Sequence, residues 1–228
     1  MDVTKYCNEI ISSDDIDIFK SSARIYIAAS SGSGKSYLIN KLILQNHFKF
    51  DKIFLIGLPN DNILEQSNIL MGKIVKLDYF PSIQEINEYG ESVNKIIVLD
   101  DIYITALSNK NVLSYYTHGR HSNLSSVLIS QNLFAQGKFS RDLVLNCTHI
   151  ILLRSRDLSQ FSILSRQIYG KDFSSKIPDV YKYITKRYKY PHLLIDLTNT
   201  MNEKLELRSH IIESEESNFQ TVYIYSKK

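Results

Sequence analysis

An α/β fold, with a mostly parallel central sheet flanked by helices on both faces, is predicted by two features of this 228-residue sequence. Short apolar runs rich in β-branched residues alternate with longer stretches whose apolar residues recur at helical spacing. This alternation is typical of βαβ units, in which successive strands lie parallel in one sheet. Several runs are almost entirely apolar, as expected of strands that are covered on both faces.

The apolar runs are the predicted strands, and amphipathic stretches between them are the predicted helices. The strands are Arg24–Ala28, Lys52–Ile56, Lys73–Leu77, Lys95–Leu99, Ser126–Ser130, His149–Leu153 and a last one at Thr221–Tyr225. The helices are Lys35–His47, Ser82–Tyr89, Asn109–Tyr116 and Leu158–Tyr169. Open parallel sheets bind ligands beyond the carboxyl ends of their strands, so functional residues are expected directly after each run.

The composition indicates one globular domain that is soluble and intracellular. Apolar residues make up 43% of the chain, charged residues 22%, and the net charge is +3. These values exclude a disordered tail and argue against a protein that coats nucleic acid. Cys7 and Cys147 have no metal-ligand spacing and are expected as buried thiols in a reducing compartment. We recognise no signal peptide and no bilayer-spanning run, so no membrane partner is expected.

The segment ASSGSGKS, residues 29–36, lies between the first predicted strand and the first predicted helix. It fits the phosphate-loop (Walker A) pattern G-x-x-x-x-G-K-[ST], with Ala29 in place of the first glycine. Small residues let backbone N–H groups surround a phosphate, and the helix N-terminus adds its positive dipole end. We expect Lys35 to reach the β- and γ-phosphates of ATP and the Ser36 hydroxyl to ligate Mg²⁺. The expected nucleotide-binding residues are Ser30, Ser31, Gly32, Ser33, Gly34, Lys35, Ser36 and Tyr37.

Polar residues follow two further predicted strands. Asp100 and Asp101 come directly after Lys95–Leu99. An acid at the end of a buried strand beside a phosphate loop is where a Mg²⁺-holding carboxylate belongs, so Asp100 is assigned to the metal, through water. Asp101 is then placed to orient or deprotonate the attacking water. Gln131 follows the next strand, where a neutral amide is suited to sense the γ-phosphate or to position water.

Six segments, which include these motifs, resemble the FtsK/HerA superfamily of P-loop motor ATPases. Within it, the chain is similar to the compact genome-packaging ATPases of poxvirus, virophage and Polinton/adintovirus type. The segments that carry the resemblance are ASSGSGKS at 29–36, IIVLDD at 96–101, GRHSNL at 119–124, SQNLFAQGKFSRD at 130–142, LSRQIYG at 164–170 and YKYPHLLIDLT at 188–198.

The resemblance implies a RecA/ASCE-like P-loop NTPase fold and Mg²⁺-dependent ATP hydrolysis. It also implies a homo-oligomeric ring, often a hexamer, that pulls double-stranded DNA into a capsid. The expected partners are therefore DNA, further copies of the chain, and capsid or portal-vertex proteins. The expected location is the nucleus or cytoplasm of a host cell, and the virion. The expected division is an N-terminal extension over residues 1–23, a motor domain over 24–200, and a C-terminal extension over 201–228 that completes the sheet or docks a partner.

In rings of this family an arginine of one subunit completes the active site of its neighbour. Arg120, just before the Gln131 strand, matches the position of that arginine, and Arg141 is a second candidate. A guanidinium stabilises the charge spread over the transferring phosphoryl group. A surface arginine or an internal ion pair is the alternative for either residue. The chain departs from the family at Asp101, where many relatives carry the longer Glu.

A basic stretch rich in tyrosine lies near the end of the predicted motor domain. Lys182, Lys186 and Lys189 recur at i, i+4 and i+7, with Arg187 beside them. One helical face of this kind is suited to follow a DNA phosphate backbone, and an ordinary solvated face is the alternative. The acidic stretch Glu213–Glu216 is expected to be a solvated turn or a capsid-docking element.

Two other functions stay open on the sequence alone. A P-loop nucleoside or nucleotide kinase fits the length and the pair Arg154-x-Arg156, which resembles an arginine-bearing lid, but Gln131 has no obvious role in a kinase. A non-enzymatic binding module with a relic phosphate loop is the third hypothesis. The intact Lys35 and Asp100 argue against such decay.

Overall fold

The computed structural model describes most of the chain. The described residues are 6–12, 19, 22–46, 49–57, 64, 67–100, 102–155, 157–186, 190–198, 206–209, 211–212 and 221–227. Asp101, Arg156, Arg187, Lys189 and Glu213–Glu216 were singled out in the sequence and lie outside these residues. Their predicted roles stay predictions.

One ten-stranded sheet runs through the described residues. Its strands are β1 (Tyr6–Ser12), β2 (Arg24–Ala28), β3 (Lys52–Ile56), β4 (Ile74–Leu77), β5 (Lys95–Leu99), β6 (Leu124–Ser130), β7 (His149–Leu152), β8 (Leu193–Asp196), β9 (Leu207–Ser209) and β10 (Thr221–Lys227). Their order is β1-β10-β9-β8-β7-β2-β6-β5-β3-β4. From β7 to β4 all neighbours are parallel. The strands β8, β9, β10 and β1 extend the sheet in antiparallel fashion.

Helices cover both faces of the parallel part of the sheet. They are α1 (Lys35–Gln45), α2 (Ile83–Asn87), α3 (Tyr103–Ala106), α4 (Lys110–Thr117), α5 (Ser140–Leu145), α6 (Ser159–Tyr169) and α7 (Lys176–Thr185). Helix α1 packs on the sheet face formed by alternate residues such as Ile25 and Ile27. Helices α2, α4, α6 and α7 pack on the opposite face, which includes Tyr26 and Ala28. This architecture confirms the predicted fold class.

The predicted strands and helices are all present, with small differences at their ends. Helix α2 begins where a capping box forms, because Ser82 Oγ accepts from Glu85 N and the Glu85 carboxylate accepts from Ser82 N. The strands β1, β8 and β9, the short helices α3 and α5, and the part of α7 before Lys182 were not predicted. Helix α7 ends at Thr185, with Lys186 as its cap, so the predicted basic helical face is shorter than expected. Among the described residues, no helix is both long and apolar enough to cross a membrane.

A buried polar cluster joins β7, β8 and β9 at the antiparallel side. Asp196 Oδ2 lies 2.7 Å from an Arg208 guanidinium nitrogen and 3.7 Å from His149 Nε2. The backbone N–H and hydroxyl of Thr198 donate to Asp196 Oδ1 at 2.9 and 2.6 Å. Burial acts to raise the pKa of Asp196, but Thr198, His149 and Arg208 more than offset it, so the pKa lies below its ordinary value. These contacts fix β8 and β9 beside β7.

Candidate functional site

The phosphate-loop segment is held between the ends of two strands. Ala29 N donates to Ser130 O at 2.8 Å, at the end of β6. On the other side, Ser30 donates from its backbone N–H (3.3 Å) and from its hydroxyl to the carbonyl of Arg154, which follows β7. The loop therefore emerges at the carboxyl edge of the parallel strands, where such sheets bind ligands.

Two glycines give the loop its curvature. Gly32 and Gly34 have φ of +71° and +87°, in the left-handed region that favours glycine. Gly34 caps α1, and its carbonyl accepts the first helical hydrogen bond, from Leu38 N at 2.9 Å. The Ser33 side chain is buried, and no hydrogen-bond partner for its hydroxyl exists among the described residues. A buried hydroxyl without a partner costs about 1–3 kcal/mol, so a bound anion would satisfy a group that the loop leaves open.

Lys35, the first residue of α1, reaches from the loop to the buried acid. Its Nζ lies 3.6 Å from Asp100 Oδ1, and the side chains are 16% and 1% exposed, respectively. The sequence led us to expect Asp100 at the end of a strand beside the loop. In the sheet, however, β6 lies between β2, which leads into the loop, and β5, which Asp100 follows. The lysine side chain closes that distance. A carboxylate this deeply buried requires a cation or hydrogen-bond donors beside it.

The position of Asp100 also depends on a glycine of the neighbouring strand end. Asp100 N donates to Ile56 O at 3.0 Å, at the end of β3. Gly57 follows with φ +78°, and a Cβ there would lie 1.9 Å from the carbonyl oxygen of Asp100. Gly57 is therefore required both by its backbone conformation and by the close approach of the Asp100 backbone.

Gln131 is exposed directly after β6, next to the loop. The turn that carries it is fixed, because the Asn132 carbonyl accepts from Ser130 Oγ at 2.8 Å and from the Tyr26 hydroxyl at 3.1 Å. One residue further, Leu133 N donates to the side-chain oxygen of Gln160 in α6 at 3.0 Å. The Gln131 side chain is thus presented at the loop edge by an anchored backbone.

Arg154 is a residue of this site that the sequence motifs indicated only for the kinase hypothesis. Its side chain is exposed on the opposite side of the loop from Gln131. The hydroxyl of Tyr181 in α7 holds the turn around it, donating to Leu153 O and accepting from Ser155 N, both at 3.0 Å. The sequence feature that could have identified Arg154 as a site residue is its position directly after an apolar run, which it shares with Asp100 and Gln131.

Arg120 lies at the amino ends of the parallel strands, whereas the phosphate loop lies at their carboxyl ends. It is exposed in the short 3₁₀ turn Gly119–Ser122 before β6, and its carbonyl accepts from Ser22 Oγ at 3.4 Å. The pKa of Arg24 lies below its ordinary value, mainly because of burial, and the positive charge of Arg120 lowers it further. Strand β6 has seven residues, so its ends lie about 20 Å apart at ~3.3 Å per residue. Arg120 is therefore remote from the phosphate loop of its own chain.

The other predicted site residues lie at several places. Arg141 is exposed in the first turn of α5. Lys182 and Lys186 are exposed at the end of α7. Tyr37 is 47% exposed in the first turn of α1, with Lys41 Nζ 5.8 Å from its ring centre.

Ser36 and Asp100 fit a magnesium site in the presence of nucleotide. A hydroxyl and a carboxylate are hard oxygen donors, and Mg²⁺ uses one or two protein oxygens together with phosphate oxygens and water. Ser36 follows Lys35 in the first turn of α1, and Lys35 contacts Asp100. No group of three or more His, Cys, Asp or Glu side chains suited to a metal occurs among the described residues.

Comparison with known proteins identifies the fold. No family model matches the sequence, and no curated protein gives a significant match. The genome packaging NTPase B204 of Sulfolobus turreted icosahedral virus 2, in complex with sulfate, is similar with a TM-score of 0.59 and 13% identity, over 86% of this chain and 100% of B204. B204 in complex with ATP-gammaS gives 0.53 and 16%, over 92% and 99%. B204 with AMP gives 0.55 and 16%, over 80% and 96%.

Identities this low establish a shared fold and not a shared activity. The predicted P-loop NTPase fold is confirmed, and the resemblance to viral genome-packaging ATPases holds at the level of fold. The residues 29–36, Asp100 and Gln131 meet at one edge of the sheet, as the sequence predicted.

The contact between Gly57 and Asp100 predicts unequal effects of two alanine substitutions. Gly72 has φ +75° and open space around it, so Gly72→Ala reports the backbone strain alone, about 1–2 kcal/mol of unfolding free energy. Gly57→Ala adds a clash with the Asp100 backbone and should cost about 1–3 kcal/mol more. Urea unfolding of both variants measures the difference. Equal losses of stability would show that Gly57 does not set the position of Asp100.

Proposed function

We propose that this protein is a Mg²⁺-dependent ATPase that translocates double-stranded DNA into a viral or virus-like capsid as a homo-oligomeric ring. The observation that carries the ATPase part is the ion pair between Lys35 of the phosphate loop and the buried Asp100. It joins a phosphate-binding cation to a metal-type carboxylate at the ligand-binding edge of the sheet. The fold shared with B204, a genome packaging NTPase, supports the DNA-packaging part.

In this proposal the loop binds the triphosphate through its backbone N–H groups and Lys35. The negative charge of the phosphates attracts Lys35, whose Nζ now lies 3.6 Å from Asp100. The Ser33 hydroxyl gains the partner that it lacks among the described residues. Gln131 faces the same edge, where an amide donates a hydrogen bond to a phosphate oxygen or to the attacking water.

Ser36 and Asp100 would hold Mg²⁺, which neutralises charge on the β- and γ-phosphate oxygens when it is bound. Asp100, at the end of β5, would hold the ion through a bridging water. Asp101 follows it in the sequence and is proposed to orient or deprotonate the attacking water. These assignments give each acid a different role.

The arginine that stabilises the transferring phosphoryl group is proposed to come from a neighbouring subunit. Arg120 is exposed at the edge opposite its own loop, and a ring places opposite edges of adjacent subunits together. Arg141 is the second candidate, since it is also exposed and away from the loop. A hexamer is the expected ring, and capsid or portal-vertex proteins are its expected partners inside an infected cell.

The proposed DNA contacts are Lys182, Lys186, Arg187 and Lys189. Lys182 and Lys186 are exposed, and charge on each subunit is multiplied when copies surround one duplex. A net charge of +3 for each chain agrees with backbone binding that is weak enough to be released at every step. Such contacts carry no sequence preference.

The proposal predicts ATP hydrolysis that duplex DNA increases. Lys35→Ala should reduce kcat/KM for ATP by about 100-fold or more, because a charge that stabilises the phosphoryl group is lost. Steady-state phosphate release with and without linear duplex DNA measures both effects. The matched control is Lys76→Ala, an exposed lysine on β4 at the far end of the sheet, which should leave turnover unchanged.

Two outcomes would contradict this assignment. Turnover that is unchanged in Lys35→Ala would remove the phosphate loop from the reaction. Phosphate transfer to a nucleoside, without DNA-stimulated hydrolysis, would favour the kinase alternative, in which the exposed Arg154 beside the loop contacts the transferred phosphoryl group.

A shared active site predicts complementation between two inactive variants. Arg120→Ala should abolish most hydrolysis while ATP binding is kept, since its own loop lies about 20 Å away. Mixing Arg120→Ala with Lys35→Ala subunits should restore part of the activity, because some interfaces then combine an intact loop with an intact arginine. Mixed rings that assemble, as shown by native mass spectrometry, and yet stay inactive would refute the arrangement for Arg120.

A further inference from the structure

Tyr190 lies against the end of the phosphate loop. A Cβ placed on Gly34 would be 3.9 Å from Cδ1 of Tyr190, so the ring lies next to the point where the loop enters α1. The tyrosine is nevertheless 64% exposed. A large aromatic ring is thus held next to the predicted phosphate site with much of its surface open.

The backbone that carries Tyr190 is anchored. Pro191 and His192 are buried, and His192 Nε2 accepts a hydrogen bond from Ile211 N at 3.1 Å. Strand β8 follows at once, with Leu193 opposite Leu152 at the carboxyl end of β7. The ring is therefore presented at the carboxyl edge of the sheet by fixed backbone, which keeps the entropic cost of a contact low.

The exposed surface of Tyr190 differs chemically from the phosphate loop beside it. Backbone N–H groups, Ser33 and Lys35 offer hydrogen bonds and positive charge, which suit phosphates. A tyrosine face is apolar and polarisable, and it suits another aromatic ring. The base of a nucleotide whose phosphates lie in the loop extends beyond the loop, and Tyr190 is an exposed aromatic ring beside it.

We propose that Tyr190 forms part of the binding surface for the base of the nucleotide and favours purine over pyrimidine triphosphates. This inference rests on the proposed function in one respect, that the phosphates bind at residues 29–36. Stacking on an aromatic side chain increases with the area of the base, so the larger purine gains more. Tyr37, the other exposed tyrosine near the start of α1, is the competing candidate for the same contact.

Calorimetric titration with two ligands tests the inference. Mg²⁺–ATP carries phosphates and base, whereas Mg²⁺–tripolyphosphate carries the phosphates alone. Tyr190→Ala should weaken ATP binding about 10-fold and leave tripolyphosphate binding unchanged, because only ATP has a base that stacks on the ring. Tyr190→Phe keeps the ring and should keep the ATP affinity. The preference for ATP over UTP should decrease in Tyr190→Ala.

The control is Tyr79→Ala, which removes an exposed tyrosine beyond β4 and should bind both ligands like the wild type. Full ATP affinity in Tyr190→Ala, or loss of ATP affinity in Tyr37→Ala alone, would overturn the inference and leave the proposed function standing. Equal losses for ATP and tripolyphosphate would also overturn it, because Tyr190 would then act on the shape of the loop. Wild-type protein that binds neither ligand would overturn both.

Discussion

The buried charge of Asp100 is the constraint on which the site depends. A carboxylate that is 1% exposed at the end of a strand is stable only when a cation or several donors lie beside it. Lys35 supplies that cation because β2, β6 and β5 are parallel and their carboxyl ends share one edge. Gly57 leaves the space that the Asp100 backbone occupies. Phosphate and metal binding would use the same two opposite charges that now stabilise each other.

The turns on the two sides of the phosphate loop are hydrogen-bonded to helices α6 and α7. On one side, the Tyr181 hydroxyl fixes the turn whose central carbonyl, that of Arg154, accepts from Ser30. On the other side, Gln160 accepts from Leu133 N, close to Gln131. The two helices also pack together through the edge-to-face rings of Phe161 and Tyr181, 4.8 Å apart.

This connection has a consequence for a motor. Lys182 follows Tyr181 directly, so an exposed lysine proposed to contact DNA is one residue from a side chain that holds the turn beside the loop. A displacement of the loop that accompanies nucleotide binding would act on α7 through hydrogen bonds rather than through a flexible linker. In the proposed DNA translocase, such a two-sided connection would couple hydrolysis to movement along DNA.

Local sequence patterns were sufficient to predict seven of the ten strands, the phosphate loop and the placement of Asp100 and Gln131. Each of these depends on residues that are neighbours in the chain or on a strand-end rule. The position of β6 between β2 and β5 could not be read from the pattern, because periodicity carries no information about strand order.

Tertiary contacts explain the other features that the sequence did not reveal. Arg154 holds Ser30 through its carbonyl, which any residue possesses, so its identity gives no signal. Gly57 is required by the Asp100 carbonyl, which is 43 positions away in the sequence. The strands β8 and β9 have four and three residues and depend on the buried contact between Asp196 and Arg208. Short strands of this kind are specified by partners distant in the chain.

The most direct test of the account is the effect of Mg²⁺ on ATP affinity in the wild type and in Asp100→Asn, measured by calorimetry. The account predicts that Mg²⁺ tightens ATP binding in the wild type and that Asp100→Asn loses about 10-fold or more of this gain, as is usual for a carboxylate that holds a metal through water. Metal-free ATP should bind the variant at least as tightly, because the negative charge of Asp100 beside Lys35 is removed. An undiminished Mg²⁺ effect in Asp100→Asn would contradict the central assignment.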